Sequence, residues 1–137
     1  MFKLLLLALV AVAPLQGCAT LQGPQRAAAT AETAQERLEL RGYAIEKSYN
    51  IILEDALAIA SAPTTTEVVK ARIQSASATG TDAIDQLSDS LARFAVERAK
   101  VDAGQSTVEK LTVVADNLQD WVNRASVALI ALQAAFR

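Results

Sequence analysis

Apolar residues recur along this chain at alternating steps of three and four. Leu38, Gly42, Ile45, Tyr49, Ile52, Ala56 and Ile59 form one such row. A helix completes a turn every 3.6 residues, so this spacing stacks the side chains on one face. The row predicts a first helix from about Pro24 to Ala62, closed by Pro63. Its first turns are milder, with Ala27, Ala31 and Ala34 as their apolar side. Leu53, Leu57 and Ala60 widen the stripe toward its end. A second row, Val69, Ile73, Ala76, Gly80, Ile84, Leu87, Leu91, Phe94 and Val101, predicts a helix reaching about Ala103. The third row is the cleanest: Val108, Leu111, Ala115, Leu118, Val122, Ala125, Leu129, Leu132 and Phe136, flanked by Val114, Trp121, Ala128 and Ala135.

Punctuation between the rows agrees with them. Thr64 to Glu67 and Ser106 to Glu109 read as capping boxes, a hydroxyl followed three residues later by a carboxylate. Gly104 is a helix terminator. The small residues from Ser75 to Thr81 surround Gly80, which costs a helix about 1 kcal/mol relative to alanine. Gly80 therefore marks either a close helix approach or a break restarted at Thr81 or Asp82; one continuous or slightly kinked helix is the expectation. Three long helices with short connections predict an all-α fold, an antiparallel three-helix bundle. Each helix would span roughly 45–60 Å at 1.5 Å per residue. The near-seven-residue period implies gentle left-handed supercoiling of the coiled-coil kind.

The N-terminus follows a different pattern. Phe2-Lys3 gives a short positive start, an apolar run extends from Leu4 to Ala13, and Pro14 follows. A charged start, a short apolar run and small residues at its end make an export signal. The run is too short to span a bilayer, which takes roughly 20 apolar residues. The four residues Leu15-Gln16-Gly17-Cys18 then resemble the lipobox of bacterial lipoprotein precursors, in which leucine, a small residue, glycine or alanine, and cysteine stand in that order. Gln16 departs from the pattern.

That resemblance covers the first eighteen residues and implies a specific chemistry. Cys18 would carry a diacylglycerol on its thiol and become the first residue after cleavage. It implies residues 1–17 as signal peptide, 18–25 as lipidated tether and 26–137 as the bundle. Ala19, where an aspartate would retain the protein in the inner membrane, implies the outer membrane with the bundle facing the periplasm. The chain ends Phe136-Arg137, not on the lysine by which the murein lipoprotein family attaches to peptidoglycan, so no covalent wall attachment is expected.

Composition narrows the chemistry. The chain is 52% hydrophobic but only 4% aromatic, so alanine and leucine carry the apolar content and favour helices. Net charge is −2 and one unit more negative once Lys3 leaves with the signal. No basic cluster is present, which argues against a nucleic-acid partner. Histidine is absent, removing the commonest general base and metal ligand. Cys18 is the only cysteine and can form no internal disulfide. No phosphate loop, zinc-ligand pairing or nucleophile elbow stands out. The expectation is a non-catalytic protein with no cofactor and no metal.

The remaining polar positions are weighed one by one. Asp82, Asp85 and Asp89 share a helical face, which reads as a solvated acidic row; one row does not converge oxygens as a cation site requires. Asp89–Arg93 and Asp120–Arg124 are expected as surface i, i+4 pairs. Glu54 and Asp55 lie off the stripe and point about 100° apart. Tyr49 is on the stripe and belongs in the core. Tyr43 and Trp121 are the candidate interface residues, since large aromatics with a polar tip anchor contacts.

A structural or adaptor lipoprotein of the cell envelope is the first functional expectation. A phage- or mobile-element-encoded envelope lipoprotein acting in lysis or superinfection exclusion is the second. A carrier holding lipid or another small ligand between its helices is the third. The expected partners are the membrane, through Cys18, and either an envelope protein or a further copy of the chain. An alanine-rich bundle has little bulk to fill a monomer core, and a homodimer or trimer would bury the excess.

Overall fold

The structure, a computed structural model, describes residues 22–137, with side chains from Ala34 onward. The segment Leu15 to Cys18 lies outside the described residues, as does the start of the tether. Three helices follow in order: α1 (Gln22–Ser61), α2 (Glu67–Asp102) and α3 (Val108–Ala135). Residues Thr33–Arg137 form one compact unit. The fold is all-α, and none of the described residues is in a strand. α1 begins two residues before Pro24, which sits in its first turn, where a missing N–H costs nothing.

Contacts across the helices run in opposite directions along the chain. Glu39 accepts a hydrogen bond from Arg98 at 2.5 Å, Glu46 from Ser88 at 2.5 Å, and Tyr49 donates to the Ser77 carbonyl at 3.0 Å. As the α1 number rises, the α2 number falls, so α1 and α2 are antiparallel. Ser90 donates to the Asn117 side chain at 3.2 Å. Residues Arg72 to Gly80 meet Ala128 to Ala135 along the same α2–α3 pair. These helices are antiparallel too.

The three predicted stripes meet in one core. Tyr49, Ile73, Leu87, Leu91, Phe94, Leu118, Val122 and Leu132 are its largest fully buried side chains. All three helices contribute. Two stripe positions depart from expectation. Leu57 is exposed, because it lies one residue past the buried Ala56 and so points about 100° away. Val108 is exposed because it is the first residue of α3, at the end of the bundle.

The caps also shift by one or two residues. The N-cap of α2 is Thr66, not Thr64, and its hydroxyl accepts from the Val69 N–H at 3.4 Å. Thr65 instead closes α1 by donating to the Ile59 carbonyl at 2.6 Å. Glu67 pairs with Lys70 at 2.9 Å. The N-cap of α3 is Thr107, which accepts from the Lys110 N–H at 3.4 Å, while Ser106 bonds to Glu97. Three adjacent threonines stand at the first junction and Ser106-Thr107 at the second. Backbone conformation, extended at Thr66 and Thr107, decides which one caps.

The end of α2 is a Schellman motif. The Gly104 N–H donates to the Val101 carbonyl at 2.9 Å, and the Gln105 N–H to the Lys100 carbonyl at 2.8 Å. This closure needs a left-handed residue, and Gly104 has φ of 68°. Gly80 does not break α2. A Cβ there would stand 2.6 Å from Tyr49 Cε2 and 2.7 Å from Cζ. The glycine exists so that the Tyr49 ring can lie against the α2 backbone.

Candidate functional site

The two aromatic candidates sit in different settings. Tyr43 is 47% exposed on α1. It borders a shallow depression with Glu46, Lys47, Asn50, Ile51 and Glu54, all from the same helix. Trp121 is partly buried and packs against the core. The Arg124 guanidinium lies over its ring, 4.8 Å from the centroid. This is a cation–π contact, in which the positive group meets the negative face of the ring. Trp121 takes no part in the depression beside Tyr43, so the two do not form one site.

Trp121 also explains a correction. Asp120–Arg124 is not among the ion pairs of the described residues, nor is Asp89–Arg93. Arg124 turns to the indole one turn back. An exposed i, i+4 pair contributes only a few tenths of a kcal/mol, too little to hold the guanidinium against an aromatic face.

The acidic row is solvated. Asp82, Asp85 and Asp89 are exposed. Asp82 and Asp85 border a shallow pocket between α1 and α2 with Leu53, Leu57 and Ser77. Among the described residues, no three His, Cys, Asp or Glu side chains are grouped to hold a metal ion. Glu54 and Asp55 are both exposed.

The densest polar cluster surrounds the α2–α3 turn. Glu97 accepts from the Ser106 hydroxyl and faces the Lys100 ammonium at 3.5 Å. One residue on, Arg98 pairs with Glu39 at 2.5 Å and lies 5.9 Å from the Phe94 ring centre. The Glu39–Arg98 pair ties α1 to the turn end of α2. The Ser106 hydroxyl, then the Lys100 charge, hold the Glu97 carboxyl below the ordinary glutamate value of 4.5. At the start of α3, Glu109 is likewise lowered, first by its own backbone N–H and then by the Thr107 hydroxyl.

The Glu97 contact has a pH signature. A carboxyl with a lowered folded-state pKa stabilises the fold above its unfolded value, and that contribution disappears as pH falls through the folded value. The expected result is that Glu97 titrates below 4.5 by side-chain carboxyl NMR. Ser106→Ala should move it upward. An unchanged titration in that variant would show that the hydroxyl is not the cause.

A third feature lies between α2 and α3. A groove of about 620 Å³ is lined mainly by small residues, Ala76, Gly80, Ala128, Ala131 and Ala135, with Arg72 at its rim. Beside it Val127 and Ile130 stand 67% and 64% exposed. Helix periodicity misses this surface, because the same alanines serve both the core stripe and the outer face.

Together these features define a small all-α protein of three helices, antiparallel in sequence order, joined by polar ties between neighbouring helices and by threonine caps. Among the described residues, no helix is long and apolar enough to cross a membrane. Comparison with family models, with curated proteins and with solved structures gives no match.

Proposed function

We propose that this protein is a small lipoprotein of the bacterial cell envelope, anchored through Cys18, with a non-catalytic structural or adaptor bundle. One observation carries the reading: Leu15-Gln16-Gly17-Cys18 closes a short apolar run at the N-terminus and holds the chain's single cysteine. Acyl chains contribute about 0.8 kcal/mol per buried CH₂, and stable anchoring takes more than one chain. A triacylated Cys18 meets that requirement without a spanning helix. Ala19 favours the outer membrane, with the bundle in the periplasm. The turn cluster supports a rigid role, because Glu39–Arg98 ties α1 to α2 and the Ser106 hydroxyl holds Glu97 where α2 turns toward α3.

The test is incorporation of labelled palmitate into the wild-type chain and Cys18→Ser, with membrane fractionation of both. Label and membrane residence should vanish together in the variant. Equal fractionation, with no label in either, would overturn the anchor and with it the assigned location.

A further inference from the structure

The last three turns of α3 carry no charge: Ala125 to Phe136 reads ASVALIALQAAF. A helix apolar on every side is normally covered on every side. Here Leu132, Ala125 and Ala128 face the core, yet Val127 and Ile130 are solvent-exposed, and Ala131 and Ala134 are exposed beside them. Val127, Ile130, Ala131 and Ala134 follow steps of three, four and seven. They form a second stripe on the outer face, running into the α2–α3 groove.

The charges at the two ends of this surface complement each other. Asp120 lies seven residues before Val127, on the same face, and is exposed without an ion pair among the described residues. Arg72 rims the groove at the level of Ala135, likewise exposed and in none of those pairs. Asp120 and the level of Ala135 are about 22 Å apart along the helix axis at 1.5 Å per residue.

We propose that a second copy of this chain docks on this surface. The two α3 helices lie antiparallel about a two-fold axis near Val127–Ala128, and Asp120 of each copy meets Arg72 of the other. An isologous contact requires a self-complementary patch. With the Arg124 guanidinium turned onto the Trp121 ring, the centre presents an apolar surface with an acid at one end and a base at the other, which is self-complementary when one copy is reversed. The small groove residues let the second α3 approach closely, as Gly80, one of them, does for the Tyr49 ring. The proposal stands on α2 and α3 alone and does not rest on the lipid anchor.

Cross-linking of the full chain in cells tests it. Near a two-fold axis a cysteine meets its own copy, so Val127→Cys should give a disulfide-linked dimer under mild oxidant. Val113 is exposed on the same helix about 21 Å away, and Val113→Cys should give no more dimer than wild type, whose own Cys18 sets the baseline. Adding Asp120→Arg to Val127→Cys should cut the cross-linked fraction at least severalfold, and adding Arg72→Asp as well should restore it. Both cysteine sites are exposed, and circular dichroism checks that each variant remains helical. Absence of the Val127→Cys dimer, equal cross-linking at Val113, or no rescue by the charge exchange would each overturn the proposal.

Discussion

Tyr49→Ala is expected to cost about 3–5 kcal/mol, the range for deleting a large buried aromatic. In a domain of this size that lowers the thermal midpoint by roughly 4–8 °C for each kcal/mol. Tyr49 is only 1% exposed, and it is the largest side chain in a core otherwise built from Leu, Ile, Val and Ala with one Phe. Its ring fills the space left by Gly80, and its hydroxyl reaches the Ser77 carbonyl at 3.0 Å. That carbonyl keeps its place in the helix ladder, because it has a second lone pair. Tyr49→Phe removes only the hydroxyl bond and should cost about 1 kcal/mol. Thermal or urea unfolding of the two variants separates ring from hydroxyl. Equal losses would mean that the ring's contact with α2 contributes nothing.

Gly80→Ala should destabilise the protein, although helix propensity alone predicts the opposite sign. Alanine favours a helix interior over glycine by about 1 kcal/mol. The added methyl would strike the Tyr49 ring, however, and overpacking of a tight core costs about 1–3 kcal/mol. The ring cannot step aside, since it is buried and its hydroxyl is bonded to α2. A net loss of up to about 2 kcal/mol follows from the two effects together. Gly42→Ala is the control. There the added Cβ would meet the Leu91 side chain, 2.8 Å from Cδ2, and a flexible leucine end yields more readily than a ring. That variant should be close to neutral. A stabilised Gly80→Ala protein would show that α2 and Tyr49 are not in close contact. Coupling between Gly80→Ala and Tyr49→Phe, above about 0.5 kcal/mol in a double-mutant cycle, would locate the effect in that contact.

The Gly80 result also marks where sequence reading ends. Small residues from Ser75 to Thr81 allow two outcomes, a break or a close approach, and nothing within α2 chooses between them. Tyr49, 31 positions away, makes the choice. The same holds for the polar contacts. Glu39 and Arg98 are 59 positions apart, so no local spacing announces their pair. Arg124 has two partners within one turn, and the orientation of Trp121 selects the ring over Asp120. The candidate anchor differs in kind. Leu15 to Cys18 is four consecutive residues recognised in an extended chain, so it is legible without a fold, and the described residues do not reach it.

The sequence by itself determined three helices, their ends to within a few residues, and most of the buried face. A helix repeats every 3.6 residues, so its inner face is written in local spacing, and Gly104 and the threonines at the junctions punctuate it. Tertiary structure alone decided which of the neighbouring hydroxyls caps each helix, why Gly80 is glycine, which charges tie α1 to α2, and which side of the apolar end of α3 stays uncovered beside an alanine-lined groove. Those features depend on residues far apart in the chain meeting at a few ångströms. That distance is set by how the helices pack, and no periodicity within one helix encodes it.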